Sequence, residues 1–264
     1  MTVASPLPLT EFAAPAAWRT IELLSDVHLQ ADAPRTFEAW RRQLLETDAD
    51  AVLMLGDLFE VWVGDDARDG EFESRCVQTL REAASRRTLG FMAGNRDFLL
   101  GAAMCTASGM QALPDATVLR FGGHRFVLTH GDALCLADAP YQQFRAQVRG
   151  AAWQCDFLAR PLPERQRMAR TMRDASTAHQ AARPEALWAD VDATAALQLL
   201  AAAGSDVLIH GHTHRPGRNA LSPTAMRHVL SDWDFDGAQP RGTVLRLDAA
   251  GCIEARPALA ITAA

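Results

Sequence analysis

Residues 51–57 read AVLMLGD, five apolar residues followed by a glycine and a single carboxylate. A continuous apolar run of this length is typical of a strand buried on both faces, and the glycine ends it so that Asp57 follows the strand. The two oxygens of that carboxylate can each face a different cation. We therefore take 51–57 as the central strand of an α/β fold, with Asp57 at its functional edge.

The same strand-and-loop unit recurs along the chain. Strands predicted at 20–25, 88–93, 126–129 and 206–209 each run into a loop that contains metal-ligating residue types. Because ligands in open α/β sheets gather outside the carboxyl ends of strands, the five loops should converge. Together they offer seven candidate metal ligands: Asp26, His28, Asp57, Asn95, His130, His212 and His214.

Seven donors of mixed oxygen and nitrogen type suit two cations bridged by an aspartate. Such a pair, about 3.5–4 Å apart, is a recurring device for phosphoester hydrolysis. Carboxylate, amide and imidazole donors allow Mn²⁺, Fe or Zn and do not select among them; we expect two divalent ions, with Mn²⁺ as the first choice. A lone strand-end Asp or His is usually structural, but five such loops in this order indicate a metal centre.

The order of the loops resembles that of the calcineurin-like metallophosphoesterases. Their blocks Asp-x-His, Gly-Asp, Gly-Asn-His, a later His and Gly-His-x-His are matched across residues 26–214, with one departure in the third block. The resemblance implies an α/β fold, a four-layer α/β/β/α sandwich of two mixed sheets. It also implies the roles of the ligands: Asp26, His28 and His214 on one metal, Asn95, His130 and His212 on the other, and Asp57 as the bridge.

The departure is Arg96, which stands where most members carry a His taken as the general acid for an alkoxide leaving group. The stretches GNRDF at 94–98 and GDLFEVWVGDD at 56–66 resemble the UDP-2,3-diacylglucosamine hydrolases of lipid A biosynthesis. A phosphate monoester leaving from a pyrophosphate has a low pKa and needs little protonation, so an arginine can clamp phosphoryl oxygens there instead. We expect Asp97 to hold that guanidinium; Arg96 as a surface ion-pair residue is the alternative.

This narrower resemblance implies a dinuclear-metal hydrolase. It would cleave the pyrophosphate of UDP-2,3-diacylglucosamine to UMP and 2,3-diacylglucosamine 1-phosphate. Two alternatives stay open, a generic metallophosphoesterase acting on other phosphodiesters and a non-catalytic scaffold, although a scaffold would be expected to have lost ligands. The residues to which we assign catalytic roles are Asp57, Asn95, Arg96 and His212.

Two further elements are predicted from local signals. We expect a helix at 98–109, closed by Gly109, and a hairpin of strands at 117–121 and 124–129 separated by Gly122-Gly123.

Residues 138–200 interrupt the series of predicted strands and are predicted to form a helical insert that caps the site. Between 141 and 173 the net charge is +5, in a chain whose overall charge is −6. The resemblance implies that the insert walls an acyl-chain pocket, whereas packing of the insert on itself explains at least half of its aromatic residues. The predicted substrate contacts are Asn95, Arg96, Asp138, Tyr141, Ser176, Gln180, Arg183 and His212.

Composition, net charge and cysteine content limit the possible domain organisation and binding partners of the chain. We expect an Ala- and Pro-rich mobile leader at 1–17 and one elaborated domain at 18–264. An acidic balance counts against a non-specific nucleic-acid binder, and five scattered cysteines fit reduced thiols in the cytosol. The basic run at 141–173 suits a membrane surface, where each basic residue contributes about 1 kcal/mol toward anionic lipid, although solvated charge explains the run about as well. We expect peripheral binding to the cytoplasmic face of the inner membrane, and a monomer.

Overall fold

The computed structural model describes residues 7–181 and 189–259, and their side chains apart from those of 174–181. Two six-stranded mixed sheets pack face to face, and helices cover their outer faces. This arrangement confirms the predicted four-layer α/β/β/α sandwich.

The first sheet is built around the central strand of the sequence prediction. β3 (Ala51–Leu55) pairs in parallel with β2 (Thr20–Leu24) on one side and with β4 (Thr88–Met92) on the other. All five residues of β3 are buried, because one face of the sheet meets helices and the other meets the second sheet. The remaining strands are β5 (Gln111–Ala112), β11 (Thr243–Asp248) and β12 (Ile253–Pro257), in the order β12-β11-β2-β3-β4-β5.

The second sheet contains the predicted hairpin of β6 (Thr117–Phe121) and β7 (His124–Thr129). Gly122 and Gly123, which join the two strands, both have positive φ, the conformation that a two-residue hairpin turn requires. β7 also pairs in parallel with β8 (Val207–His210), which prolongs the sheet toward β10 (Met226–Val229) and β9 (Gly217–Ala220).

Alternation along the strands divides the apolar residues among three clusters. Leu53, Leu128 and Ile209 belong to the cluster between the sheets. Outside the first sheet pack α1 (Pro34–Glu46), α2 (Glu71–Ala84) and α3 (Ala102–Ser108), and outside the second packs α7 (Ala193–Ala203).

Between β7 and α7, the residues that the structure describes form three α-helices, α4 (Ala139–Val148), α5 (Ala151–Leu158) and α6 (Leu162–Ala181). The side chain of Asp138 caps α4 by accepting the main-chain N–H of Tyr141 at 3.1 Å. Pro163 lies in the first turn of α6, where a missing N–H costs no hydrogen bond. Among the described residues, no helix is long and apolar enough to cross a bilayer.

The prediction of a mobile leader over 1–17 was wrong for part of its length. β1 (Thr10–Ala13) is an edge strand of the second sheet and pairs in parallel with β6, with Thr10 opposite Thr117. Phe12 packs against the cluster between the sheets, with its ring 6.1 Å from that of Trp18. The strand was not predicted because the segment is rich in Ala and Pro and because its partner strand lies more than a hundred residues away in sequence.

Candidate metal centre and adjoining cavity

The structure brings all seven predicted ligands to the edge where the carboxyl ends of β2, β3, β4, β7 and β8 meet. Ligand atoms of Asp26, His28 and His214 all lie within 4.8 Å of one another, and so do those of Asp26, Asp57 and His130. Asn95 joins the remaining ligands: its Oδ1 lies 3.0 Å from His130 Nε2 and 2.8 Å from His212 Nδ1. The predicted side chains therefore form one continuous cluster that contains loops from both sheets.

The backbone of this cluster is strained. In the described part of the chain, five non-glycine residues have positive φ, and all five are predicted ligands: Asp26, His28, Asp57, His212 and His214, at φ between 51° and 66°. A residue with a Cβ in this region costs of order 1–3 kcal/mol and persists only where surrounding structure imposes it, most often at functional sites. The strain thus points to the same residues as the sequence pattern.

A close approach of two loops sets the position of Asp57. A Cβ on Gly94 would collide with the carboxylate and the main-chain nitrogen of Asp57, so only glycine fits there. The carboxylate of Asp57 also accepts the main-chain N–H of Arg96, at 2.8 Å from Oδ1. The loop after β4 therefore packs directly on the carboxylate that follows β3.

We expected Asp97 to hold the Arg96 guanidinium, and this prediction was wrong. The fully buried carboxylate of Asp97 accepts main-chain N–H groups from the two loops instead, from Leu58 at 2.7 Å and from Gly94 at 2.8 Å. Burial, together with the charge of Asp57, raises the pKa of Asp97 to about 6. The main-chain N–H groups of these turns point inward and need an acceptor, which is why a carboxylate so close to Arg96 turns away from its guanidinium.

The field in the cluster favours cations. Burial alone would lower the pKa of His130, but the carboxylates of Asp57 and Asp26 raise it to about 9. Burial and the neighbouring His130 lower the pKa of His212 to about 4, so this imidazole is neutral at pH 7. A divalent ion binds the neutral imidazole, so binding at His130 would release the proton that its raised pKa retains at pH 7, whereas His212 is already neutral.

The donor atoms fit a pair of cations. Oδ1 of Asp26 is buried without a hydrogen-bond partner among the described residues, 3.4 Å from His214 Nε2 and 3.9 Å from His28 Nε2. The other ring nitrogens face supporting groups. His130 Nδ1 lies 2.9 Å from Leu55 O, and His28 Nδ1 lies 3.0 Å from a carboxylate oxygen of Glu60. Such outer partners orient an imidazole toward a metal.

A cavity of about 470 Å³ adjoins the cluster. At one end of it are Asn95, Arg96 and His212, and the predicted contacts Asp138 and Tyr141 also line it. Nε of Arg96 is buried and has no hydrogen-bond partner in the part of the chain that the structure describes. Ser176 and Gln180 belong to α6, but their side chains lie outside the description, and Arg183 lies outside the described residues altogether.

The rest of the cavity wall is apolar and aromatic, and most of it comes from α4, α5 and the loops after β3 and β4. Trp153 and Phe157 stack with ring centroids 4.8 Å apart. This contact agrees with the alternative that aromatic residues of the insert pack against one another. Both nevertheless line the cavity. Other apolar residues of the wall are Val61, Trp62, Val63, Phe98, Leu99, Phe144 and Met172.

Sequence reasoning missed two acidic residues that touch the predicted site. Glu60 lies beside His28 and also forms an ion pair with Arg173 of α6. Asp132, two residues after His130, is fully buried and accepts hydrogen bonds from Tyr141 and Arg145. Glu60 stands in a stretch quoted for the resemblance, but spacing along the chain does not show which helix an acidic side chain meets.

Comparison with known proteins agrees with this geometry. Residues 20–154 match the model of the calcineurin-like phosphoesterase superfamily domain. A UDP-2,3-diacylglucosamine hydrolase of Ralstonia nicotianae is 44% identical over 90% of this chain and 92% of its own length. One of Chromobacterium violaceum is 42% identical over 88% and 96%.

The solved structure of vacuolar protein sorting 29 from Cryptosporidium parvum matches with a TM-score of 0.45 and 12% identity, over 90% of this chain and 97% of that one. Such a likeness is too low to bear on function. The identity to the hydrolases is far higher and extends over nearly the whole chain. The chain therefore belongs to the calcineurin-like phosphoesterase superfamily and, within it, to the family of the UDP-2,3-diacylglucosamine hydrolases.

Proposed function

We propose that this chain hydrolyses the pyrophosphate of UDP-2,3-diacylglucosamine, releasing UMP and 2,3-diacylglucosamine 1-phosphate for lipid A synthesis. The observation that supports this proposal is that one cavity is polar at one end and apolar along the rest of its wall. Its polar end borders the metal-ligand cluster through Asn95, Arg96 and His212, and its remaining wall is built from apolar and aromatic side chains. A substrate with a charged pyrophosphate and two acyl chains matches that division.

The seven predicted ligands would hold two divalent ions, with Mn²⁺ as our first choice. As Lewis acids, the ions would polarise the phosphoryl oxygens and lower the pKa of water. Asp57 reaches toward both halves of the cluster, which supports its role as the bridge. Asn95 and His212 lie at the border between cluster and cavity, and they would orient the phosphoryl group. Water attacks the nucleotide-proximal phosphorus, and its oxygen ends in UMP.

The side chain of Arg96 would bind the non-metal phosphoryl oxygens. It lines the cavity, its Nε has no protein partner among the described residues, and its main chain is anchored to Asp57. A guanidinium presents two parallel N–H donors to an anion, and its pKa is too high for it to act as an acid. Proton donation is unnecessary, because the departing sugar phosphate is already a stable anion.

Residues 138–200 would form the cap of a single domain, with Asp138, Tyr141, Ser176, Gln180 and Arg183 near the substrate. The positions of Asp138 and Tyr141 on the cavity wall support this. Phe144 lines the cavity and is 40% exposed, so the apolar wall continues to the molecular surface. With the arginines of α4 to α6 around it, this face would meet the cytoplasmic surface of the inner membrane, and the protein would act there as a peripheral monomer.

The test is product analysis in ¹⁸O-water. Purified protein with Mn²⁺ and the UDP-diacyl sugar should release UMP that contains the solvent oxygen, and chelation should stop the reaction. Asp57→Ala should be folded and inactive. Label found only in the sugar phosphate would place the attack on the other phosphorus. Turnover of cyclic nucleotides or other phosphodiesters, but not of the UDP-diacyl sugar, would favour the generic phosphoesterase.

A further inference from the structure

Asp132 occupies an unusual position between the metal-ligand cluster and α4. It lies two residues after His130, in a short turn at the end of β7, and it is fully buried. Its Oδ2 accepts the phenol O–H of Tyr141 at 2.6 Å and Nε of Arg145 at 2.8 Å. Nothing in the proposed reaction uses this carboxylate, yet a buried charge is retained only where it is paired and hydrogen-bonded.

Side chains from one face of α4 bind this turn. The side-chain amide of Gln142 donates to the main-chain oxygen of Asp132 at 2.8 Å and to that of Cys135 at 3.2 Å. Residue 145 stands four positions after residue 141 and three after residue 142, the spacings at which helical side chains are neighbours. The face of α4 that looks toward the protein is therefore bound to the turn after His130 by several polar contacts. Arg145 also lies 3.9 Å from a carboxylate oxygen of Asp115, but Asp132 is the carboxylate that accepts hydrogen bonds from both Tyr141 and Arg145.

The same face also reaches the loop that contains Asn95 and Arg96. A guanidinium nitrogen of Arg149 donates to Gly94 O at 2.8 Å and lies 3.8 Å from Asp132 Oδ2. The Arg149 guanidinium also stands over the ring of Phe98, at 5.2 Å, and Phe98 lines the cavity. Asp132 thus anchors a helix that is followed by Arg149, whose guanidinium reaches Phe98 on the aromatic wall of the cavity.

The contact with Asp132 fixes the position of the Tyr141 ring in the cavity wall. The ring is 6.0 Å from the ring of His212 and lines the cavity, while the hydroxyl is turned away to Asp132. Because the hydroxyl is bound, the ring presents a fixed aromatic surface where the polar and apolar parts of the cavity meet.

We propose that Asp132 is a positioning residue: it anchors α4 so that Tyr141 and the aromatic wall accept the lipid part of the substrate. It contributes to binding of the diacylated substrate and not to the chemistry at the metal centre. The proposal rests on the proposed function for the identity of that substrate. The anchoring itself depends only on the contacts of Asp132.

Kinetics on two substrates separate these roles. Asp132→Asn should raise KM for the UDP-diacyl sugar on the order of tenfold with little change in kcat, since a contact that acts in binding alone is lost. Hydrolysis of bis(p-nitrophenyl) phosphate, which has no acyl chain, should keep its kcat/KM. Tyr141→Phe, which leaves the Asp132–Arg145 pair intact, should shift KM in the same direction by a smaller factor. It serves as the second variant if Asp132→Asn folds poorly.

Glu22→Gln is the matched control. Glu22 is also a buried carboxylate, 3% exposed, and it accepts from Gln43 at 2.7 Å and from Arg246 at 3.0 Å. It lies on β2 and contacts α1, so its loss should leave the KM for both substrates unchanged. A similar rise of KM in Glu22→Gln would show that the effect is one of general destabilisation, and the proposal would be overturned.

A readout without substrate tests the anchor itself. Tyr141 is the only tyrosine of the sequence, so protein grown with 3-fluorotyrosine gives one ¹⁹F resonance that reports its position. That resonance should shift or broaden in Asp132→Asn and stay unchanged in Glu22→Gln. An unchanged resonance, or equal losses on both substrates, would overturn the proposal. If wild-type protein fails to cleave the UDP-diacyl sugar while the resonance still moves, the proposed function fails and the anchoring stands.

Discussion

Arg96 is the residue that most separates this chain from the general pattern of its superfamily. Its guanidinium lines the cavity beside Asn95. We expect Arg96→His to lower kcat/KM for the UDP-diacyl sugar by 10²–10³, on the order of 3–4 kcal/mol, because a charge-assisted contact made in the transition state is lost. On phosphodiesters with poor alkoxide leaving groups, the introduced imidazole should leave the rate unchanged or raise it modestly. Steady-state kinetics on both substrates measure the difference.

Arg96→Lys is the matched control for charge. It keeps the cation but loses the planar pair of donors, so its activity on the UDP-diacyl sugar should fall between those of wild type and Arg96→His. An Arg96→His variant as fast as wild type on this substrate would contradict the clamp.

His214 tests whether the ligand loops store strain. Its φ of 51° lies in the left-handed region, where a Cβ costs roughly 1–2 kcal/mol. In the presence of a chelator, His214→Gly should therefore be about 1 kcal/mol more stable than His214→Ala, the reverse of the usual order of these residues in regular structure. Both variants lack the imidazole and differ only in the Cβ. Urea denaturation compares them, and an alanine variant as stable as the glycine variant would rule out strain at this position.

At the residue scale, the sequence predicted the side chains whose chemistry and local context coincide. Asp57 and His130 each follow an apolar strand, so their position at a sheet edge could be derived without the fold. Asp97 could not be placed in the same way, because its partners are main-chain N–H groups from a loop about forty residues away. The contacts of Glu60 and Asp132 with α6 and α4 were unpredictable for the same reason.

Among the elements, strands with continuous burial were the easiest to predict. β3 and the β6–β7 hairpin occur within the predicted bounds, since apolar runs and a Gly-Gly turn are local signals. β9 was missed because all four of its residues are exposed and show no apolar alternation. The helix expected at 98–109 is shorter, Ala102–Ser108, because residues 98–101 instead form the irregular segment that places Phe98 and Leu99 on the cavity wall.

The attachment of α6 gives a prediction at this scale. The side chain of Arg165 is 3% exposed and forms ion-paired hydrogen bonds with Asp66, in the turn after β3. The bond from Arg165 holds the pKa of Asp66 below its ordinary value of 3.8. A lowered carboxyl pKa stabilises the fold above the ordinary pKa, and this stabilisation is lost as the pH falls through the folded-state pKa.

We therefore expect Asp66→Asn to cost no more than about 1 kcal/mol at pH 7, because Asp66 is largely solvated. The difference from wild type should be constant between pH 7 and 5 and should shrink below about pH 4. Asp69→Asn, on the same turn with a side chain 80% exposed, is the control and should have little effect. Urea denaturation at several pH values measures this, and a difference that grows on acidification would contradict the assignment.

For the whole molecule, the decisive feature is that the two sheets bring their ligand loops to one edge. The periodicity of the strands does not reveal that β7 and β8 belong to a different sheet from β2, β3 and β4. That arrangement followed from the family resemblance, which carries information on long-range pairing that no local pattern contains. The seven candidate ligands could be located one strand at a time, whereas the cavity formed by α4, α5 and two loops required the three-dimensional structure.

Metal removal tests the whole centre without reference to any substrate. The cluster combines five candidate ligands in the left-handed region with the buried carboxylates of Asp26 and Asp57, so we expect it to disfavour folding until cations are bound. Because ions that bind only the folded state stabilise it by about 2.7 kcal/mol at a concentration of 100 Kd, wild-type protein should unfold at clearly higher urea concentration in Mn²⁺ than in chelator.

Asp57→Asn removes one buried charge and the proposed bridge. In chelator it should be at least as stable as wild type, and Mn²⁺ should stabilise it far less. Equal stabilisation of both proteins by Mn²⁺ would show that Asp57 does not bridge the ions, and no stabilisation of wild type would remove the metal centre itself.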